Sequence, residues 1–330
     1  MRNCKSTSKR ILVSISILSV IAASCEKDST SLLKLPTIQS SEIFSLSSNA
    51  ITIKSTFGIN SKDSIEKMGI CWGLQPKPSI YSNFTSSALN DSIMYSRIEG
   101  LEPNTKYYAR VYASNKDKEA YGPEIEFTTN STVVDIEGNI YNTVTIGNQT
   151  WMVENLKVTK YNDGSDIPFL SSNTNWPEFD SPRYSWYDYN IENKNPYGAL
   201  YNWPAVNSGK LCPEGWHIPT DSEWSILANY LGGELSAGGF LKSTSSYWAS
   251  PNYKATNYSG FWGVPAGCSA ATVGSFDFKG ILTVWWSSTI SNSGLIITRK
   301  IWNDNEVLYT DGIMTAGGTL NYLSVRCIKD

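Results

Sequence analysis

The sequence predicts a multidomain chain, an N-terminal β-sandwich followed by an α+β domain. Three observations carry that prediction. Residues 35–129 read as short apolar–polar alternations broken by turn residues, about seven strands in about 95 residues, the pattern of two packed antiparallel sheets. From Val133 onward the composition changes: eleven of the twelve tryptophans lie there, glycines are frequent and the strand-like runs shorten. Within that second part, the stretch from Thr220 to Gly233 carries the start, buried stripe and stop of an amphipathic helix. At 330 residues the chain suits two domains of ordinary size.

The first residues read as an export signal spanning 1–24. Arg2, Lys5, Lys9 and Arg10 precede the apolar run Ile11–Ala23, which is too short to anchor a helix across a bilayer. The phrase IAASC resembles the bacterial lipoprotein signal, with Ala22 where leucine is usual. The resemblance implies cleavage before Cys25, lipidation of Cys25 and a tether over 25–34. Loss of the four basic residues takes the formal net charge from −3 to −7, which argues against a nucleic-acid partner. The acidic phrase CEKDST resembles the tag that routes Bacteroidetes lipoproteins to the outer face of the outer membrane. The triplets beginning at Asp28, Asp63 and Asp91 resemble O-glycosylation sites of the same bacteria.

In the predicted sandwich, Asn49–Gly58 alternates with period two, and Glu66–Gly73 puts Met68, Ile70 and Trp72 on one face and Cys71 on the other. Leu101–Asn115 is a turn followed by a strand, and Ala120–Thr129 closes the set. The phrase LEPNTKY resembles the tyrosine corner of fibronectin type III domains, and GICWG and YGPEIEFTT resemble their bacterial versions. The resemblance implies that the Tyr107 hydroxyl bonds back to the preceding turn and that the domain spaces its neighbour from the membrane. Asn130–Thr132 then reads as a linker.

The second part opens with a hairpin whose turn is Gly147-Asn148. Its best helix has Thr220 as N-cap, Glu223 completing a capping box, and Trp224, Leu227, Ala228 and Leu231 in one stripe before Gly232-Gly233. A second short helix is predicted at Pro196–Trp203, stopped by Pro204. Apart from Cys4 in the signal and the lipidated Cys25, four cysteines remain, Cys71, Cys212, Cys268 and Cys327, and four in an oxidising compartment allow three full pairings. With one histidine and no CxxC, no zinc spacing is recognisable, and no cofactor is expected.

The phrases IGNQTWMVENLKVTKYNDGSDIP, YGALYNW, LCPEGWHIPTDSEW, GGFLKST, NYSGFW, WWSST and LSVRCIKD, in that order, resemble the Fibrobacter succinogenes major paralogous domain over 133–330. Pro204 and the insertion around Cys268 depart from the pattern. The resemblance implies an extracytoplasmic domain and a disulfide between Cys212 and Cys327. A more distant similarity, to the sulfatase-modifying, formylglycine-generating domains, implies a C-type-lectin-like topology with two helices around an irregular sheet and adjacent termini.

Several residues invite a sharper reading. His217 lies near Cys212, yet the local pattern favours a side chain packed or hydrogen-bonded at the helix start. Trp302–Asp304 matches a tripeptide of calcium-dependent lectins. It sits in a strand–turn–strand pattern, and the six or more oxygens calcium needs cannot be assembled. Trp151, Trp216, Trp224, Trp285 and Trp286 read as core. Trp176, Trp186, Trp248 and Trp262 lie in polar loops and are the candidate ligand contacts, since aromatic faces stack on sugar rings and anchor interfaces. The function expected is a non-catalytic binding or structural module on a lipid-anchored surface protein, its partner a glycan or a protein. The alternative is an oxidative enzyme resembling the formylglycine-generating enzymes.

Overall fold

A computed structural model of the chain describes residues 34–58, 65–172, 181–269, 275–314 and 321–330. The signal segment, Cys25, the tether up to residue 33, the triplets at Asp28 and Asp63, and Trp176 lie outside the described residues.

Seven strands build the sandwich: β1 (Thr37–Ser47), β2 (Ala50–Gly58), β3 (Lys67–Gly73), β4 (Asn83–Phe84), β5 (Ile93–Glu99), β6 (Lys106–Ser114) and β7 (Glu119–Thr128). One layer runs β1-β2-β5 and the other β4-β3-β6-β7. The period-two pattern decides what faces inward. In β5, Met94, Ser96 and Ile98 are buried while their neighbours are not, and Ile51, Ile53, Ile70, Val111 and Phe127 complete the same core. The Tyr107 hydroxyl accepts the Glu102 N–H at 3.1 Å, the expected corner. Met68, Ile70 and Trp72 share the core face, with Trp72 at its edge. Cys71, on the other face, is fully buried, and burial pushes its thiol up to about 12.

The second part contains β8 (Val133–Val134), β9 (Ile140–Tyr141), β10 (Thr143–Ile146), β11 (Gln149–Met152), β12 (Tyr184–Ser185), α1 (Lys194–Tyr197), β13 (Leu200–Tyr201), α2 (Trp203–Val206) and β14 (Trp216–His217). It continues through α3 (Asp221–Tyr230), α4 (Glu234–Leu241), β15 (Cys268–Ser269), β16 (Phe276–Asp277), β17 (Leu282–Ile290), β18 (Leu295–Trp302), β19 (Tyr309–Met314), β20 (Leu323–Ser324) and β21 (Ile328–Lys329). Gly147 takes φ +60° in the β10–β11 turn, as the sequence requires. Trp151 of β11 pairs with Ile328 of β21, so the β10–β11 hairpin lies beside the last strand. A six-stranded sheet, β12-β13-β20-β17-β18-β19, forms its other layer.

Helix α3 follows its sequence signals closely. Thr220 Oγ1 accepts the Glu223 N–H while the Glu223 carboxylate accepts the Thr220 N–H at 2.7 Å, closing the capping box. Trp224, Leu227, Ala228 and Leu231 are buried, and Trp224 packs on Trp151 (4.8 Å between centroids), Trp285 and Phe261. The Gly233 N–H closes the end on the Ala228 carbonyl at 2.8 Å. The helix predicted over Pro196–Trp203 is not formed. That stretch holds the end of α1, strand β13 and the start of α2. Pro204 does not stop a helix: it stands in the first turn of α2, where its missing N–H costs nothing, behind the N-cap Asn202.

The two parts are fused. Ser45, Leu46 and Ser47 of β1 pair with Ile146, Thr145 and Val144 of β10, giving a single seven-stranded sheet in the order β14-β21-β11-β10-β1-β2-β5. Phe44 inserts among aromatics of the second part, 5.5 Å from Tyr230 and 5.7 Å from Phe240, and Tyr95 stacks on Tyr258 at 5.0 Å. Burial of one such ring contributes roughly 1.5–3 kcal/mol. Asn130, in the expected linker, donates its side-chain N–H to the Leu46 carbonyl and to Thr145 Oγ1, both at 3.0 Å. Residues 33–330 accordingly form one compact unit.

Candidate functional site

Cys212 and Cys327 form a disulfide, with Cα atoms 6.0 Å apart. It lies beside a small cleft of about 220 Å³ that also touches His217. His217 Nδ1 meets Asp330 Oδ1 at 2.6 Å and Nε2 meets Glu223 Oε1 at 2.9 Å. Burial alone would lower its pKa, but the two carboxylates outweigh that and the net shift is upward from 6.5. The imidazole is thus bonded at the start of α3, as expected, and the neighbouring sulfur is oxidised. Among the described residues the other cysteines, Cys71 and Cys268, are free, and burial raises both thiols, Cys71 to about 12 and Cys268 to about 11.

Of the four candidate contact tryptophans, Trp186 and Trp248 are corrected by the structure. They are only 3% and 5% exposed. Trp186 packs edge-on to Tyr184, and the Trp248 indole N–H is spent on the Gly263 carbonyl at 2.9 Å, so both close the interior beneath loops. The loops around them are polar because their other residues face solvent. Among the residues expected in the core, Trp151, Trp224, Trp285 and Trp286 are fully buried, and Trp216 is half-buried against the cluster that holds Trp286. At the lectin-like tripeptide, β18 ends at Trp302, and the Asn303 side chain donates to the Ala249 and Ser250 carbonyls; β19 then returns antiparallel. Among the described residues, no group of three or more His, Cys, Asp or Glu is arranged to hold a metal ion.

Trp262 is different. It is half-buried and lines two clefts, of about 340 and 280 Å³, which also share Glu154. The loop that presents it is tightly specified. Gly260 takes φ +72°, and a Cβ there would meet Arg97 Nη1 at 3.2 Å and Val144 at 3.1 Å. Phe261 turns inward onto Trp151, Trp224 and Trp285. Trp262 itself sits at φ +56°, a left-handed conformation unfavourable for a bulky residue, and its N–H is held by Asn257 Oδ1 at 3.0 Å.

The larger cleft lies at the seam. The sandwich supplies Asn49, Arg97 and Glu99, and the second part supplies Asn142, Glu154 and Trp262. Arg97 pairs with Glu99 at 2.9 Å and reaches Thr52 Oγ1, which fixes its guanidinium. Both Glu154 oxygens accept from Asn142, one from the backbone and one from the side chain, each at 2.8 Å. The smaller cleft adds Asn155, Lys157, Lys194 and Asn195.

Beneath both clefts lies Arg326, fully buried. Its Nη1 donates to the Val153 and Phe261 carbonyls, the residues before Glu154 and Trp262, and its Nε and Nη2 donate to Asn155 Oδ1. Its guanidinium stacks 4.3 Å from the Phe261 ring. Burial pulls its pKa down while Glu154 opposes that. Arg326 therefore ties the two cleft-lining loops to the last strand. Sequence reading passed over Arg326, Asn155 and Lys157. The available signals were a charged residue inside the otherwise apolar LSVRCI run, and the ENLK cluster that ends the first hairpin.

A redesigned β-sandwich protein aligns at 24% identity over 30% of this chain and 98% of its own, with a TM-score of 0.23. The fibronectin type III domain of human fibronectin type III domain containing protein 3 aligns at 19% identity over 29% of this chain and 82% of its own, with a TM-score of 0.17. The twitchin kinase region from C. elegans aligns at 10% identity over 60% of this chain and 34% of its own, with a TM-score of 0.23. A search of curated proteins finds no match. The model of the Fibrobacter succinogenes major domain matches residues 144–329, which is more than half of the chain and takes in the hairpin, α3, the tryptophan strands and the disulfide. The chain belongs to the Fibrobacter succinogenes major domain family.

Proposed function

We propose that this protein is a lipid-anchored surface protein of a Bacteroidetes-type bacterium that binds a glycan, without catalysis, across Trp262. The carrying observation is Trp262 itself, held in a left-handed conformation and flanked by two clefts lined with amide, carboxylate and cationic groups. An aromatic face with planar polar side chains beside it suits a sugar ring, whose C–H face stacks and whose hydroxyls need both donors and acceptors. The sandwich acts as half of the binding body as well as a spacer, because Arg97 and Asn49 belong to the larger cleft. The second part is a C-type-lectin-like domain, supported by the pairing of its early strand β11 with its last strand β21 and by its two consecutive helices, α3 and α4. The non-catalytic reading is supported by the oxidised Cys212–Cys327 pair and by the raised thiols of Cys71 and Cys268.

A glycan array probed with the protein and with Trp262→Ala tests the binding reading. Binding by the parent and its loss in the variant, at unchanged melting temperature, is expected. Equal binding by both, or none by either, overturns it. Fatty-acid labelling of the cell-expressed chain, abolished by Cys25→Ala, tests the anchor.

A further inference from the structure

Two lysines in the smaller cleft carry a more specific reading, which rests on the Trp262 proposal. Lys157 and Lys194 line the roughly 280 Å³ cleft with Trp262, and both are half-buried. Neither forms an ion pair among the described residues, whereas Lys160, Lys210, Lys254 and Lys300 of the same part each meet a carboxylate. What holds the cleft lysines is neutral. Lys157 Nζ donates to Asn195 Oδ1 at 3.1 Å and lies 5.4 Å from the Tyr141 ring, and Lys194 Nζ lies 5.8 Å from the Trp186 ring. Amide oxygens and ring faces orient an ammonium group but do not cancel its charge. Glu154, the carboxylate on the shared rim, is oriented by two hydrogen bonds from Asn142 and keeps its charge, so against it the two lysines leave the cleft one positive charge in excess. The chain as a whole carries a formal net charge of −3, so a positive pocket here runs against the background.

We infer that the smaller cleft takes a carboxylate-bearing sugar, a uronic-acid-type residue, with its ring on Trp262 and its carboxylate between Lys157 and Lys194. The larger cleft, where Arg97 is neutralised by Glu99, takes the neighbouring sugar through its hydroxyls.

The test titrates the full chain with an oligogalacturonate and with the same oligosaccharide methyl-esterified, which keeps the ring and removes the charge. The acid form is expected to bind more tightly by about tenfold or more, with the preference lost at high salt. Lys157→Gln/Lys194→Gln should bring acid binding down to the level of the ester at an unchanged melting temperature, while Trp262→Ala weakens the binding of both. Equal binding of acid and ester by the parent, or an undiminished acid preference in the lysine variant, overturns the charge inference and leaves the Trp262 reading standing. Binding restricted to neutral glycans on the array has the same meaning. Absence of all saccharide binding overturns both.

Discussion

The sandwich and the second part solve the same problem, satisfying buried polar groups, by different means. In the sandwich the backbone ladders do most of it, and the buried polar side chains are small: Thr52, Ser55 and Ser96, with Ser96 bonded to Thr85 and Ser87 nearby. In the second part the described strands are mostly two to four residues long and much of the chain is ordered loop. There, carbonyls of loops and strand ends are gathered by buried cations. Lys242 Nζ donates to the Tyr253, Trp302 and Asn305 carbonyls, and burial lowers its pKa to about 8. Arg299 joins Asp221 and Glu234, binding the starts of α3 and α4 to β18. Arg326 gathers Met152, Val153 and Phe261. A multi-donor side chain does for irregular backbone what a neighbouring strand does for regular backbone.

The most damaging way to break the contrast is to cut the covalent tie, which only the second part has. Cys212→Ser/Cys327→Ser opens a link spanning 115 residues, and the chain-entropy model puts the loss at about 4–5 kcal/mol. Urea denaturation measures it. A loss below about 1 kcal/mol would mean that the buried cations alone hold this part together.

Arg326→Met is next. It keeps much of the bulk but leaves the Val153 and Phe261 carbonyls without their side-chain donor and Asn155 Oδ1 with the Trp285 indole N–H alone. The expected loss is about 3 kcal/mol, since each buried group left unsatisfied costs roughly 1–3 kcal/mol and relaxation recovers part. Ser96→Ala in the sandwich should cost about 1 kcal/mol, because its partners Thr85 and Ser87 are hydroxyls that can turn elsewhere. Equal losses for the two variants would erase the contrast. A smaller effect, about 1 kcal/mol, is expected for Thr220→Ala, which removes one half of the capping box, with thermal denaturation as the measure.

The same difference explains what could be read in advance. Period-two alternation is a local signal, so the sandwich strands, the tyrosine corner and the core side of β3 were legible, as was α3, whose cap, stripe and stop are all local. The fusion of β1 to β10 was not, because Ser45–Ser47 looks like any half-polar strand end and nothing local says which edge it will meet. The strand at Leu200–Tyr201 is hidden in a stretch that suggests helix, because two residues carry no period. Trp186 and Trp248 were misplaced because the polarity of a loop reports its outward residues and not where its largest side chain points. Trp262 sits in the same kind of loop but faces the clefts, turned there by Gly260 and Asn257. The cleft itself joins residues more than 100 positions apart, from Asn49 to Trp262, and no spacing rule spans that.

The smallest expected effect is also the cleanest to read, because His217 is the only histidine in the chain. Its folded pKa lies above 6.5: burial lowers it, but hydrogen bonds to Asp330 and Glu223 raise it further. A group whose folded pKa exceeds its unfolded one stabilises fully below the unfolded value and loses that contribution as pH rises through the folded value. Stability should therefore fall as pH rises above about 6.5, by less than about 1 kcal/mol, because the side chain is 39% exposed and solvent screens the pair. His217→Gln keeps a polar group there but cannot titrate, and its denaturation midpoint should be flat over the same range. A parent midpoint that is already flat would mean that the Asp330 and Glu223 contacts do not hold the proton in solution. A slope that survives the substitution would place the titrating group elsewhere.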